Sequence, residues 1–135
     1  MLVRDAMSSL VLTIGPNHTL RQAATLMSLR RVGSAVVLDH DTHRPGILTE
    51  RDILDSLGAG QDPDLETAGA HTAADVVFAA PGWALEEAAE AMAHGGFRHL
   101  VVLDGHGPVG VVSVRDVLRC WTSGRRGATV LPAAG

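Results

Sequence analysis

The chain is written twice. Shifted by 65 residues, Leu20, Ala23, Ala24 and Met27 fall on Leu85, Ala88, Ala89 and Met92 with identical residue types. A fixed internal period constrains the fold strongly, because both copies must find the same local structure. The four matches sit at i, i+3, i+4 and i+7, one stripe of an amphipathic helix. On the solvated side the copies have drifted: Arg21 and Gln22 correspond to Glu86 and Glu87. Packing is what the two copies share.

The match continues into the strands. "SAVVLD" (34–39) falls on "HLVVLD" (99–104), two aliphatic runs closed by Asp and a polar turn, each reading as a buried strand. "GILTERDIL" (46–54) falls on "GVVSVRDVL" (110–118), each starting as a strand and turning into a helix. In the first copy the pattern predicts a strand at Val11–Ile14, a helix at Leu20–Arg31, strands at Ala35–Asp39 and Pro45–Leu48, and a helix at Glu50–Leu57. The second copy predicts a strand at Val76–Ala79, a helix at Leu85–Ala93, strands at Leu100–Leu103 and Val109–Val112, and a helix at Val114–Trp121.

Residues 1–58 form the first repeat on this reading and 71–122 the second. The glycine- and proline-punctuated stretch 59–70 reads as the linker. Residues 123–135 have no period and read as a flexible tail. A half of about 60 residues buries little alone. The expected fold is α+β: two β-α-β-β-α repeats packed sheet to sheet about a pseudo-twofold axis, with a cleft for each repeat where the halves meet.

Composition removes several functions. No apolar run reaches the roughly 18 residues of a membrane span, and Arg4 and Asp5 stand where an export signal would begin its apolar core. The single cysteine, Cys120, permits no internal disulfide and fits the cytoplasm. A net charge of −4 and only four aromatic residues argue against a nucleic-acid partner. All 11 basic residues are Arg, whose planar fork suits phosphate as well as an ordinary surface.

The doubled Gly-h-h-[Ser/Thr]-x-x-Asp carries the chemistry, and it admits two readings. Thr49 with Asp52, and Ser113 with Asp116, have the spacing of a helix capping box, although the longer Glu or Gln is the favoured residue at the third helical position. The same groups suit a nucleotide. A helix N-terminus seats phosphate, a hydroxyl donates to it, and an acid one turn on accepts from ribose hydroxyls. Arg51 and Arg115, each just before its Asp, would offset phosphate charge.

Other constellations are weaker. His40 and His43, beside Asp39 and Asp41, have a metal-like spacing within what also reads as a polar turn. Cys120 neighbours Trp121 on an expected helix and reads as a packed side chain. No nucleophile–base pair, Walker loop or dinucleotide fingerprint is present.

Taken together and in this order, residues 3–121 resemble a tandem pair of cystathionine-β-synthase (CBS) domains, the Bateman module, in its small bacterial form. The resemblance implies regulation rather than catalysis, with no cofactor required. It implies an adenosine-containing ligand: AMP, ADP, ATP, S-adenosylmethionine or NAD. Asp52 and Asp116 would hold ribose, and Thr49 and Ser113 would face the phosphate or ribose. One cleft would join Thr49 and Asp52 to Val77 and Phe97. The other would join Ser113 and Asp116 to Leu12 and Val32. Arg98 and His99 match a position where some members place basic groups near phosphates, though a helix stop followed by a surface Arg-His would look the same. Lacking an output domain, such a module would act through an unidentified protein partner or as a homodimer, parallel or antiparallel. The rival readings are an interaction module with empty clefts and a metal-responsive protein.

Overall fold

The computed structural model describes residues 1–41, 45–72 and 78–123. The first repeat contains helix α1 (Val3–Ala6), strand β1 (Thr13–Ile14), helix α2 (Leu20–Arg30), strands β2 (Ser34–Leu38) and β3 (Pro45–Thr49), and helix α3 (Glu50–Gly58). The second contains α4 (Ala68–His71), β4 (Phe78–Ala79), α5 (Leu85–Gly95), β5 (His99–Asp104), β6 (Gly107–Ser113) and α6 (Val114–Ser123). Each half is a three-stranded sheet, parallel between its first two strands and antiparallel between its last two.

The strands are buried on both faces, and their alternation decides what each face meets. Ala35, Val37 and Leu48 join Leu20, Ala23 and Met27 of α2 in the first core. Leu100, Val102 and Val112 join Leu85, Ala88 and Met92 of α5 in the second. The intervening residues Val36 and Ile47 point the other way and meet Val101 and Val111 of the second sheet. The halves therefore pack sheet to sheet, and the repeated helical stripe is the inner face of each helix. Complete burial of one such Leu or Val contributes roughly 1.5–3 kcal/mol.

Helix ends repeat as well. Thr19 caps α2, its hydroxyl accepting from Gln22 N–H while Gln22 Oε1 accepts from Thr19 N–H. Both long helices stop in the left-handed conformation, at Arg31 (φ 55°) and at its counterpart Gly96 (φ 70°). The N–H groups of Val32 and Phe97 then close back on the carbonyls of Met27 and Met92. This is a common way for a helix to finish, and glycine adopts it without steric cost.

Two elements were absent from the sequence reading. α1 and α4 are single turns, too short for any period to reveal. The last residues of the stretch read as a linker belong to α4. These turns sit on the opposite half: Val3 and Ala6 of α1 belong to the second core, and Ala68 of α4 to the first. The exchange is reciprocal down to its hydrogen bonds. Val3 N–H donates to Trp83 O, and Ala68 N–H to His18 O; Leu85 N–H donates to Met1 O, and Leu20 N–H to Glu66 O. The first strand is shorter than expected, beginning at Thr13 rather than Val11, although Leu12 O still accepts from Val36 N–H. Val76 and Val77, expected in β4, lie outside the described residues, as do His43 and residues 124–135 of the expected tail.

Candidate functional site

Both copies of the motif lie at a strand-to-helix junction, and both form the capping box. At β3–α3, Asp52 Oδ2 accepts from Thr49 N–H (2.8 Å) and from the Thr49 hydroxyl (2.9 Å), while Asp52 N–H reaches Thr49 Oγ1 at 3.3 Å. At β6–α6, Asp116 Oδ2 accepts from Ser113 N–H (2.8 Å) and the Ser113 hydroxyl (2.9 Å), and Asp116 N–H reaches Ser113 Oγ at 3.1 Å. Asp suffices at the third helical position here because one oxygen serves both donors.

The glycine opening each motif has a separate reason. A Cβ at Gly46 would overlap Thr72 Cγ2, and one at Gly110 would lie 2.9 Å from Ser8 O and against the Met7 side chain. Thr72 and Met7 are repeat counterparts, each just past an exchanged turn. The chain returning from the opposite half passes directly over the motif glycine, and Ser8 bonds Val111 in both directions there.

The junctions differ in what remains available. Asp116 Oδ1 accepts from Arg119 Nη2. Asp52 Oδ1 takes no partner among the described residues, and Asp52 lines a cavity of about 210 Å³ with Asp55, Ser56, Gln61 and His71. His71 Nε2 sits 2.8 Å from Glu66 Oε1, and the buried Ser56 hydroxyl donates to Gln61 Oε1 at 2.7 Å. Sequence reasoning missed Gln61, Glu66 and His71, because only the exchanged turn and the connection before it bring them beside α3.

The basic residues also divide. Arg51 turns along its own helix to Asp55 at 3.3 Å, an exposed pair worth little. Arg98 and Arg115 are exposed and make no ion pair among the described residues. His99 is half-buried and pairs across the sheet with Ser113. Burial pushes its pKa down; Asp116, Glu50 and Asp52 oppose that shift, and Arg115 adds to it. His99 therefore feels the carboxylates of both motifs. Leu12 and Val32 pack into the first core, and Phe97 into the second. Leu12 is almost wholly buried, so only its main chain is available to a ligand. Val77 lies outside the described residues. Among the described residues no group of three or more His, Cys, Asp or Glu is placed to hold a metal.

Two halves of this topology, each with its hydroxyl–Asp junction, define a paired regulatory module. A profile for the CBS domain matches residues 3–59 and 70–122, and the chain belongs to the CBS domain family. It is 33% identical over 116 residues to the CBS domain-containing protein YhcV of Bacillus subtilis, covering 85% of this chain and 81% of YhcV. It is 31% identical over 117 residues to hypoxic response protein 1 of Mycobacterium tuberculosis, covering 86% and 82%. A crystal structure of that response protein "with two coordinated zinc ions" superimposes with a TM-score of 0.72, over 88% of this chain and 98% of that one. The CBS domain protein PAE2072 of Pyrobaculum aerophilum, solved "complexed with AMP", superimposes with a TM-score of 0.76 at 26% identity, over 91% and 99%.

Proposed function

We propose that this CBS pair is a non-enzymatic cytoplasmic sensor of an adenosine-containing metabolite, acting as a homodimer or through a protein partner and needing no cofactor. One observation carries the reading: Asp52 lines a cavity and keeps one carboxylate oxygen uncommitted among the described residues. An ionised carboxylate so placed accepts from two vicinal hydroxyls, the feature that marks a ribose. Arg98 and Arg115 supply positive charge for a phosphate, His99 supplies an uncharged imidazole beside them, and AMP on the related PAE2072 protein supports the ligand class. Asp116 Oδ1 already accepts from Arg119, which leaves it less acceptor capacity than Asp52 for a second ribose. A ligand touching both halves signals only if it binds one arrangement of them more tightly than another.

The test is thermal unfolding with AMP, ADP, ATP, S-adenosylmethionine and NAD, one at a time. A ligand at about 100 times its Kd stabilises by about 2.7 kcal/mol, an easily measured rise in Tm. Asp52→Ala should abolish that rise, and Asp116→Ala should reduce it less. No rise with any of the five refutes the sensor reading and favours an interaction module with empty clefts. A response to zinc alone, lost on His40→Ala, would favour a metal-responsive protein.

A further inference from the structure

The two strand-to-helix junctions are counterparts in backbone and opposites in charge. Glu50 N–H donates to Gly33 O, and at the same place in the second half Val114 N–H donates to Arg98 O. Leu20 N–H donates to Glu66 O where Leu85 N–H donates to Met1 O. The same repeat register sets Asp55 on α3 against Arg119 on α6. At all of these pairs, Glu50/Val114, Gly33/Arg98, Glu66/Met1 and Asp55/Arg119, the first half is the more negative. His71, set against Ala6, runs the other way, and Glu66 sits 2.8 Å from its Nε2.

Acceptor capacity separates the junctions further. An ionised carboxylate has about four acceptor positions. Thr49 donates twice to Asp52 Oδ2, and Oδ1 has no partner among the described residues, so both positions of Oδ1 remain for the two hydroxyls of a diol. Ser113 donates twice to Asp116 Oδ2, and Arg119 Nη2 occupies one position of Oδ1, so Asp116 can serve only one hydroxyl. Asp55 stands where Arg119 does, one turn past the motif aspartate, and as a carboxylate it cannot donate to Asp52. It lies 3.3 Å from Arg51 and shares the 210 Å³ cavity wall with Asp52. A wall with two carboxylates disfavours an anion and suits a group that donates hydrogen bonds, such as a sugar.

We infer that the residue one turn past the motif aspartate, Asp55 in the first half and Arg119 in the second, decides which junction takes a ribose, so that the chain holds one adenosine ligand tightly, at Asp52. This rests on the adenosine reading of the preceding section and adds the residue that makes its two junctions unequal. A hydroxyl that loses its charged acceptor weakens binding by about tenfold or more, and the second junction lags the first by that factor.

The experiment exchanges the two residues. Both side chains are mainly exposed, at 67% for Asp55 and 64% for Arg119, so the core is untouched, and urea unfolding checks each variant. Isothermal titration with AMP, and separately with S-adenosylmethionine, counts the sites in the parent, Asp55→Arg, Arg119→Asp and the double exchange. The parent should show one tight site, at which 2′-deoxy-AMP binds about tenfold or more weakly than AMP. Asp55→Arg should weaken that site by about tenfold. Arg119→Asp should add a second site of similar affinity. The double exchange should keep one tight site and move it, so that Asp116→Ala and no longer Asp52→Ala removes it. Two equal sites in the parent, or an Arg119→Asp protein that binds as the parent does, would overturn the proposal and leave the sensor standing. If the parent and every variant bind neither compound, the proposal falls, and the five-ligand thermal panel decides whether the sensor reading falls with it.

Discussion

Gly46→Ala is the sharpest test of how the halves interlock. Gly46 lies within β3 without a positive φ, so alanine fits its backbone. Taken alone, glycine to alanine there should stabilise by about 0.5–1 kcal/mol, because the unfolded chain loses freedom. The exchanged segment reverses the sign, because the new methyl would occupy the space of Thr72 Cγ2. Thr72 cannot rotate away freely, since its hydroxyl donates to Ala68 O at 2.6 Å and ties it to α4. Overpacking of this kind costs about 1–3 kcal/mol, and loss of the tether adds about 0.5–1.5 kcal/mol. The expected net effect is a destabilisation of about 1–3 kcal/mol, read as a lower urea midpoint at unchanged slope. Thr72→Ser removes the clashing methyl and keeps the hydroxyl. In the double variant the nearest atom to the new methyl is Thr72 Cβ, at 3.5 Å in the present structure, an ordinary contact. It should therefore recover most of the loss, giving a coupling of about 1–2 kcal/mol in the double-mutant cycle. A Gly46→Ala protein as stable as the parent, or equal destabilisation with and without Thr72→Ser, would refute the reasoning.

Two more outcomes follow from single residues. Arg31 holds a left-handed conformation that its counterpart fills with Gly96, so Arg31→Gly should stabilise by a few tenths to about 1 kcal/mol, measured by urea unfolding. Burial lowers the pKa of His99 in the folded protein, so the unfolded chain binds its proton more readily. Stability from this group is complete above the unfolded value of about 6.5 and is lost as pH falls through the folded value. Unfolding titrations from about pH 7.5 downward should show that loss, and His99→Gln should flatten it; an unchanged pH slope would remove His99 from the account.

Much of the fold was legible because it was repeated. One amphipathic stripe is ambiguous, but Leu20-Ala23-Ala24-Met27 copied onto Leu85-Ala88-Ala89-Met92 could only be a shared inner face. The strands around "VVLD" were equally plain, since burial on both faces leaves little room for polar residues. α1 and α4 were not legible, because four-residue turns have no period and their partners lie across the molecule. The motif was read as cap or site, and the cap is what its side chains form. The asymmetry between Asp52 and Asp116 depends on Arg119, whose position in the first copy is held by Asp55, the partner of Arg51. That difference is present in the letters but acquires meaning only with the side-chain directions. The cavity residue His71 was out of reach for the same reason as α4.

The unit that recurs in the letters and the body that folds are out of phase. Each lobe borrows its first turn from the stretch of chain ahead of its neighbour, so scission between the repeats would yield two pieces, each carrying a fragment its sibling needs. Trimming the first few residues would injure the distant lobe and spare the adjacent one. A label fixed at Met1 would report on the far end of the protein.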